Sequence, residues 1–541
     1  MRFKRTAQIT AITVALTFGL TACSGSSRSN KPTGPNAIIT ADGCEPKVGL
    51  ITTDTAENCG GRVIDLISEG LYTYDEKGNL VEAGISSWEN PNNDNKNFTI
   101  KIKSGLTFDD GSPITAKNYV DAWNYGANAI NAQGTSDFFQ DIEGYDPNNN
   151  TQTKLSGLKV VDDHTFTVKL SHPVSDFKER MGINAFRPLP EQAFKDPKAF
   201  GEKPIGNGPY KIDPNKGWQH NTSISLVKND KYNGPNKPKN GGIDFMVYQS
   251  PDAAYSDVQA DNLDVLYQIP PSELKSYQLD FKGRNANVAY DGITVIGIPT
   301  YVKHFHQDKE GKLRRQALSL AIDRDKLMDK IFSGTEDSAT QFAPGTLPGY
   351  DTNISGMENT KYNPVKAKEL WKQADAISPF TGTLTLSYNN DGGHKQWVDA
   401  VTNLWKNNLG INAAGNPYPD FKSFLQDRDN KKLTGAFRSG WQADYPSIYN
   451  FLQPSFQTDA DSNSSFYTNP TFDAKLQAAL AAPTAQERNA QLNEAQSILL
   501  DDMAGIPLYD YKGQAVWSNN VKNVKLQWNG LPAYTQITAT N

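Results

Sequence analysis

The sequence predicts an α/β protein carrying a separate, hairpin-rich α+β unit. Two alternating runs, Phe98-Thr-Ile-Lys-Ile-Lys103 and Thr165-Phe-Thr-Val-Lys-Leu170, have the period-2 pattern of half-buried strands. Farther along, strand, helix and strand patterns follow one another between Thr383 and Arg438, as in a parallel crossover. With 541 residues the chain is also long enough for more than one compact unit.

At the N-terminus, Arg2, Lys4 and Arg5 precede an apolar stretch from Ala7 to Leu20, the layout of a secretory signal. Leu20-Thr-Ala-Cys23 closes it and resembles the lipobox of bacterial lipoproteins, which implies cleavage after residue 22 and acylation of Cys23. An ordinary signal with an incidental cysteine is the plainer reading. Residues 23–36, rich in Ser, Gly and Pro, read as a tether. The body is therefore expected outside the cytoplasm, held at the bacterial cell membrane by lipid and not spanning it. Cys44 and Cys59 remain; in an exported protein such a pair points to a disulfide, with two independent buried thiols as the other reading.

In the body, the turn Asp109-Asp-Gly-Ser-Pro113 precedes a helix from Thr115 through Tyr119, Val120, Trp123 and Ala127. Residues 61–204 thus read as the α+β unit. Arg314–Ile322 is an amphipathic helix, with Asp323 placed to cap the next. Thr383–Tyr388 is a strand, Trp397, Val398, Val401, Leu404 and Trp405 mark a helix face stopped at Gly410, and Leu433–Arg438 is the strand that follows. Thr484-Ala-Gln-Glu487 is a capping box before a helix through Leu492 and Leu499.

Composition narrows the function. Lys and Arg number 54 against 60 acidic residues, a net −6, which argues against a nucleic-acid binder. Losing residues 1–22 removes three positive charges, leaving nine net negative. A chain 37% hydrophobic and 10% aromatic suits a folded globular body. Six His and three Cys leave little for a metal cluster, and no metal or other cofactor is expected. No G-x-S-x-G, H-E-x-x-H or phosphate-loop motif occurs. Gly206-Asn-Gly-Pro-Tyr210 reads as a tight turn into a strand, and His304-Phe-His306, despite its metal-ligand spacing, as a surface loop.

The informative stretch is Gly435-Ala-Phe-Arg-Ser-Gly-Trp-Gln-Ala-Asp-Tyr-Pro446. Gly440 lets backbone approach a ligand, Trp441 and Tyr445 supply flat walls, and Asp444 supplies a carboxylate suited to an ammonium. Equally, Trp441 could be core and Asp444 the cap of a helix beginning near Ser447.

The lipobox, Phe98–Ala116, Ile205-Gly-Asn-Gly-Pro-Tyr210, Leu313-Arg-Arg-Gln-Ala-Leu-Ser-Leu-Ala-Ile-Asp-Arg324 and Gly440-Trp-Gln-Ala-Asp-Tyr-Pro446 occur in an order that resembles the extracellular solute-binding proteins of dipeptide, oligopeptide and nickel ABC importers. The resemblance implies a two-lobed periplasmic-binding-protein-like clamp of three domains with mixed sheets. Lobe I would comprise 37–60, 205–290 and 506–541, the insertion 61–204 and lobe II 291–505. It also implies that Asp444 holds a peptide α-ammonium, that Trp441 and Gly440 line the peptide, and that Arg438 meets its C-terminal carboxylate. Glu45 is expected on a strand beside the ligand. Phe138 and Phe139 stand where the family often has Tyr, exchanging a hydroxyl contact for apolar packing.

The function expected is that of a monomeric, non-enzymatic binding protein that captures oligopeptides between its lobes and delivers them to a membrane permease and its ATPases. The alternatives are another solute on the same fold (a nickel chelate, with His304 and His306 as contacts, haem, an opine or a glycan), a peptide-signal sensor, or a lipid-anchored hydrolase using scattered carboxylates.

Overall fold

The frame of the fold is a sheet of twelve strands, seen in a computed structural model that describes residues 33–149, 151 and 153–540. The signal, Cys23 and most of the tether lie outside the described residues. Two strands of 13 residues, Asn285–Gly297 and Gly505–Trp517, run antiparallel through the middle of the sheet. Their register breaks between Ala289 and Ile293, a bulge that bends and twists a ladder.

On one side of the break, Gly505–Trp517 meets Val265–Leu266. Beyond it lie the parallel pair Ile38–Gly43 and Gly242–Val247, then antiparallel Ser223–Lys228 and Tyr210–Ile212. On the other side, Asn285–Gly297 pairs with Ala436–Gln442, followed by the parallel strands Thr383–Asn389 and Asn412–Tyr418. The two halves are the lobes of a mixed α/β clamp, and the 13-residue strands pass from one into the other.

The hairpin-rich unit holds a four-stranded antiparallel sheet in the order Ile85–Glu89, Asn97–Ile102, Thr165–Lys169, Leu158–Asp162. Helix Ala116–Ala127 packs on it through Tyr119 and Trp123, whose rings lie 5.9 and 5.5 Å from that of Phe166. Asn118 fixes the helix start by accepting the Thr115 N–H at 2.8 Å. Phe177 and Phe186 of this unit share one core with Leu480, Leu492 and Leu499 from the C-terminal helices. Helix Asn58–Ile67 instead packs Val63, Ile64 and Ile67 against Ile39, Tyr210 and Leu226 of the large sheet. Gly206 and Gly208 make that packing possible, since a Cβ on either would collide with backbone at Ile67.

The crossover differs from expectation. After helix Lys395–Leu409 the chain forms the strand Asn412–Tyr418, then a second helix, Phe421–Asp429, and only then Ala436–Gln442. Asn-Ala-Ala-Gly-Asn-Pro-Tyr has no alternation to read. It lies at the sheet edge, where Pro417 costs no ladder hydrogen bond.

Candidate functional site

Strand Ala436–Gln442 is paired along most of its length on one edge and only at its start on the other. Phe437 to Gln442 match Gly297 to Gly292, whereas the opposite edge meets Thr383–Asn389 only at Ala436 and Phe437. From Ser439 to Gln442 no second strand covers that edge among the described residues. Such an edge offers alternating main-chain donors and acceptors to any extended chain laid beside it.

The strand ends at Ala443, whose N–H donates to the Asp291 carbonyl at 2.9 Å, and Asp444 follows. Helix Ile448–Phe456 comes next, capped by Ser447, whose Oγ accepts the Tyr449 N–H. Asp444 therefore does not cap it. Asn450, buried on that helix, orients the turn. Its Oδ1 accepts from the Asp444 N–H at 2.8 Å and from Trp441 Nε1 at 3.3 Å, while its Nδ2 donates to Asp444 Oδ2 at 3.0 Å.

Asp444 stands where two cavities meet. One, of about 250 Å³, is lined by Asn58, Arg62, Tyr74 and Gln442 among others; the second, of about 920 Å³, by Asp141, Arg180, Trp441 and Tyr449. Ala56, Thr135, Phe138 and Asp444 border both. The carboxylate is exposed to these cavities while protein encloses it farther out, so lost hydration raises its pKa and the Asn450 bond only partly offsets this. Among the described residues no cationic side chain forms an ion pair with it. Arg180, on the wall of the larger cavity, is already held by Asp141 at 2.6 Å and Asp176 at 2.8 Å.

A clamp of this topology, with a strand only partly paired on one edge and an unneutralised acid in its cleft, is matched by a family description. Residues 79–463 fit "Bacterial extracellular solute-binding proteins, family 5 Middle". The chain belongs to that family. This family 5 protein is 27% identical over 495 residues to the oligopeptide-binding protein OppA of Bacillus subtilis, covering 88% of this chain and 87% of that one. It is 28% identical over 461 residues to the periplasmic oligopeptide-binding protein OppA of Salmonella typhimurium, covering 82% and 81%. The fold superposes on the murein tripeptide binding protein MppA in its unliganded open form with a TM-score of 0.78 at 23% identity, covering 94% of this chain and 99% of that one. The resemblance to solute-binding proteins of peptide-type importers holds, and the family is one of binding proteins.

Within this family 5 chain the expected site residues part company. Asp444, Trp441 and Phe138 are brought together on the cavity walls. Gly440 lies off both cavities; with Trp441 it lines a separate pocket of about 30 Å³ between Phe437 and several serines, and a Cβ at 440 would strike the Tyr511 hydroxyl. Tyr445 borders the larger cavity with its ring, but its hydroxyl donates to Asp176 at 2.7 Å.

Three more of the expected residues lie off both cavities. Arg438 is not on these walls: its Nε donates to Asn389 at 2.8 Å and its guanidinium stacks over Phe421 at 4.5 Å, because alternate residues of a strand face opposite ways. Glu45 is also elsewhere, accepting from the Asn221 N–H and bonded to His220 Nδ1, each at 2.7 Å. Phe139 is wholly buried against Phe186, since successive residues of the 3-10 turn Ser136–Phe139 point apart.

Cys44 and Cys59 are joined, with Cα atoms 5.3 Å apart. His304 and His306 do not converge. The first is buried on Glu310 at 2.7 Å and the second is bonded to the Thr300 carbonyl at 2.8 Å. No cluster of three His, Cys, Asp or Glu suited to a metal occurs among the described residues. Sequence reasoning missed Asn450 and the wall residues Thr135 and Arg180. Nothing local marks them, because each acts on a residue distant in sequence or across a turn.

Proposed function

We propose that this protein is a lipid-anchored, extracytoplasmic peptide-binding component of an ABC importer. It captures oligopeptides in the interlobe cleft and delivers them to a membrane permease. The observation that carries the reading is Asp444, an acid without a cationic partner among the described residues, at the end of a strand edge open to an extended chain. The peptide main chain would lie along Ser439–Gln442 and its α-ammonium would take the Asp444 carboxylate, fixing register while roomy walls accept varied side chains. In the closed cleft that pair is desolvated, which strengthens the attraction. The relatives in Bacillus subtilis and Salmonella typhimurium, both oligopeptide-binding proteins, support the peptide assignment. The nickel-chelate alternative loses its footing because its two histidines face different partners.

Titration calorimetry with trialanine and N-acetyl-trialanine tests the site: tight binding of the free peptide alone is expected, and equal affinity for both would overturn the role of Asp444. Anchoring rests on Leu20-Thr-Ala-Cys23; release of Cys23→Ala protein into the medium is expected, and retention in the membrane fraction would refute it. Delivery is tested by peptide uptake in a deletion strain, where undiminished uptake would favour a sensor.

A further inference from the structure

The Cys44–Cys59 bridge lies beside the ligand cavities, and its loop makes part of their wall. Cys44 directly follows strand Ile38–Gly43, and Cys59 is the second residue of helix Asn58–Ile67. The loop between them carries Ala56, which borders both cavities, and Thr55 and Glu57, which border the smaller one. Gly60, just after the bridge, lets the Thr55 methyl lie against the first helical turn, where any Cβ would collide with it.

The loop in turn holds the opposite border of the junction. The Thr53 carbonyl accepts from the Thr135 Oγ1–H at 2.6 Å and from the Thr135 N–H at 3.1 Å. Asp54 accepts from the Gly134 N–H at 3.0 Å, and Thr53 Oγ1 donates to Gln133 Oε1 at 2.8 Å. Thr135 and Phe138 belong to the segment that borders both cavities beside Asp444. One covalent tie therefore restrains, through a single loop, both the Ala56 and the Thr135–Phe138 sides of the junction.

We propose that the Cys44–Cys59 disulfide is a positioning element of the ligand site: it holds the 51–58 loop so that Thr53 and Asp54 set the place of Gly134, Thr135 and Phe138 against Asp444. It rests on the reading of these cavities as the ligand site. The groups act on the ligand through the wall they hold, and the sulfurs touch no ligand.

Hydrogen exchange on the full chain without ligand tests the coupling. In the Cys44→Ser/Cys59→Ser variant, amides of 51–58 and 133–138 are expected to exchange at least about 10-fold faster, with helix Ala116–Ala127 unchanged. Unchanged exchange at 133–138 would overturn the proposal. Thr135→Val, which removes the Oγ1 bond with the disulfide intact, is expected to speed exchange at 133–138 but not at 44–50, and keeps the test open should the serine variant not fold. A second arm titrates trialanine. About 10-fold weaker binding is expected for the serine variant, with a loss that is less than additive when Thr135→Val is combined with it. Full affinity or strict additivity would refute the coupling. Should the unaltered protein not bind trialanine, the fault lies with the peptide reading, and the exchange data still decide this one.

Discussion

Asp444→Asn separates a ligand-binding acid from a structural one, because the two roles predict stability changes of opposite sign. The substitution keeps shape and leaves an oxygen for the Asn450 Nδ2 bond. Without ligand, burial raises the Asp444 pKa, so the folded state holds its proton more tightly than the unfolded chain does. Stability is then lost as pH rises from the unfolded value through the folded one, and at pH 7 the ionised group is a liability that Asn removes. A higher melting temperature at pH 7, with the gain shrinking in acid, is expected by calorimetry. Binding should move the other way. Loss of a charge-assisted bond to an ammonium costs about 1.5–3 kcal/mol, or about 10- to 150-fold in Kd. Peptide affinity of the unaltered protein should also fall in acid at a higher pH than an ordinary aspartate would impose. A variant that binds free peptide as tightly as before, or one that melts lower and binds equally less of acetylated and free peptide, would refute the reasoning.

Other expectations follow from the same contacts. Asp510, on the strand Gly505–Trp517, has its pKa raised to about 8 by burial, and Oδ1 lacks a hydrogen-bond partner. Its contribution is therefore lost between the unfolded pKa near 4 and pH 8, and Asp510→Asn should raise the melting temperature at pH 8 and have little effect at pH 4. Gly440→Ala should destabilise by about 1–3 kcal/mol through collision with Tyr511, read by denaturant unfolding, and Tyr511→Phe should recover part of it. Arg180→Ala leaves the buried Asp141 and Asp176 without their cation, and should cost about 3–5 kcal/mol; a loss below about 1 kcal/mol would show that the charges relax into solvent.

Where an element depends on its own neighbours in the chain, its residues announce it. Asp323 accepts from the Lys326 N–H and Thr484 from the Glu487 N–H, both as their spacing predicts. Helix Lys309–Leu320 begins one turn before the predicted one because Asp308 caps it, a signal present but outweighed by apolar periodicity. The strand Asn412–Tyr418 was illegible for the opposite reason: it is extended because Thr383–Asn389 lies beside it, and nothing in its own pattern requires that.

The site divides in the same way. Asp444, Trp441 and Gly440 could be selected from one short segment, and the ordered motifs placed the chain in its family. Whether a selected side chain enters the cleft was settled elsewhere. Arg438 and Trp441 belong to one strand but face opposite ways, and only Trp441 reaches the larger cavity, while Arg438 is held by Asn389 and Phe421. Phe138 and Phe139 are adjacent, and only the first reaches the cavities.

From its order of residues alone, the chain determined the capped helix starts at Asp323 and Thr484, the strand beginning at Thr383 and the choice of Asp444 as candidate acid, since these follow from local backbone preference and short motifs. Tertiary structure alone decided which charges were already neutralised, which rings were core and which loop was tied to which wall. Those outcomes depend on contacts such as Thr135 with Thr53, 82 positions apart, and no local preference encodes a meeting at that distance.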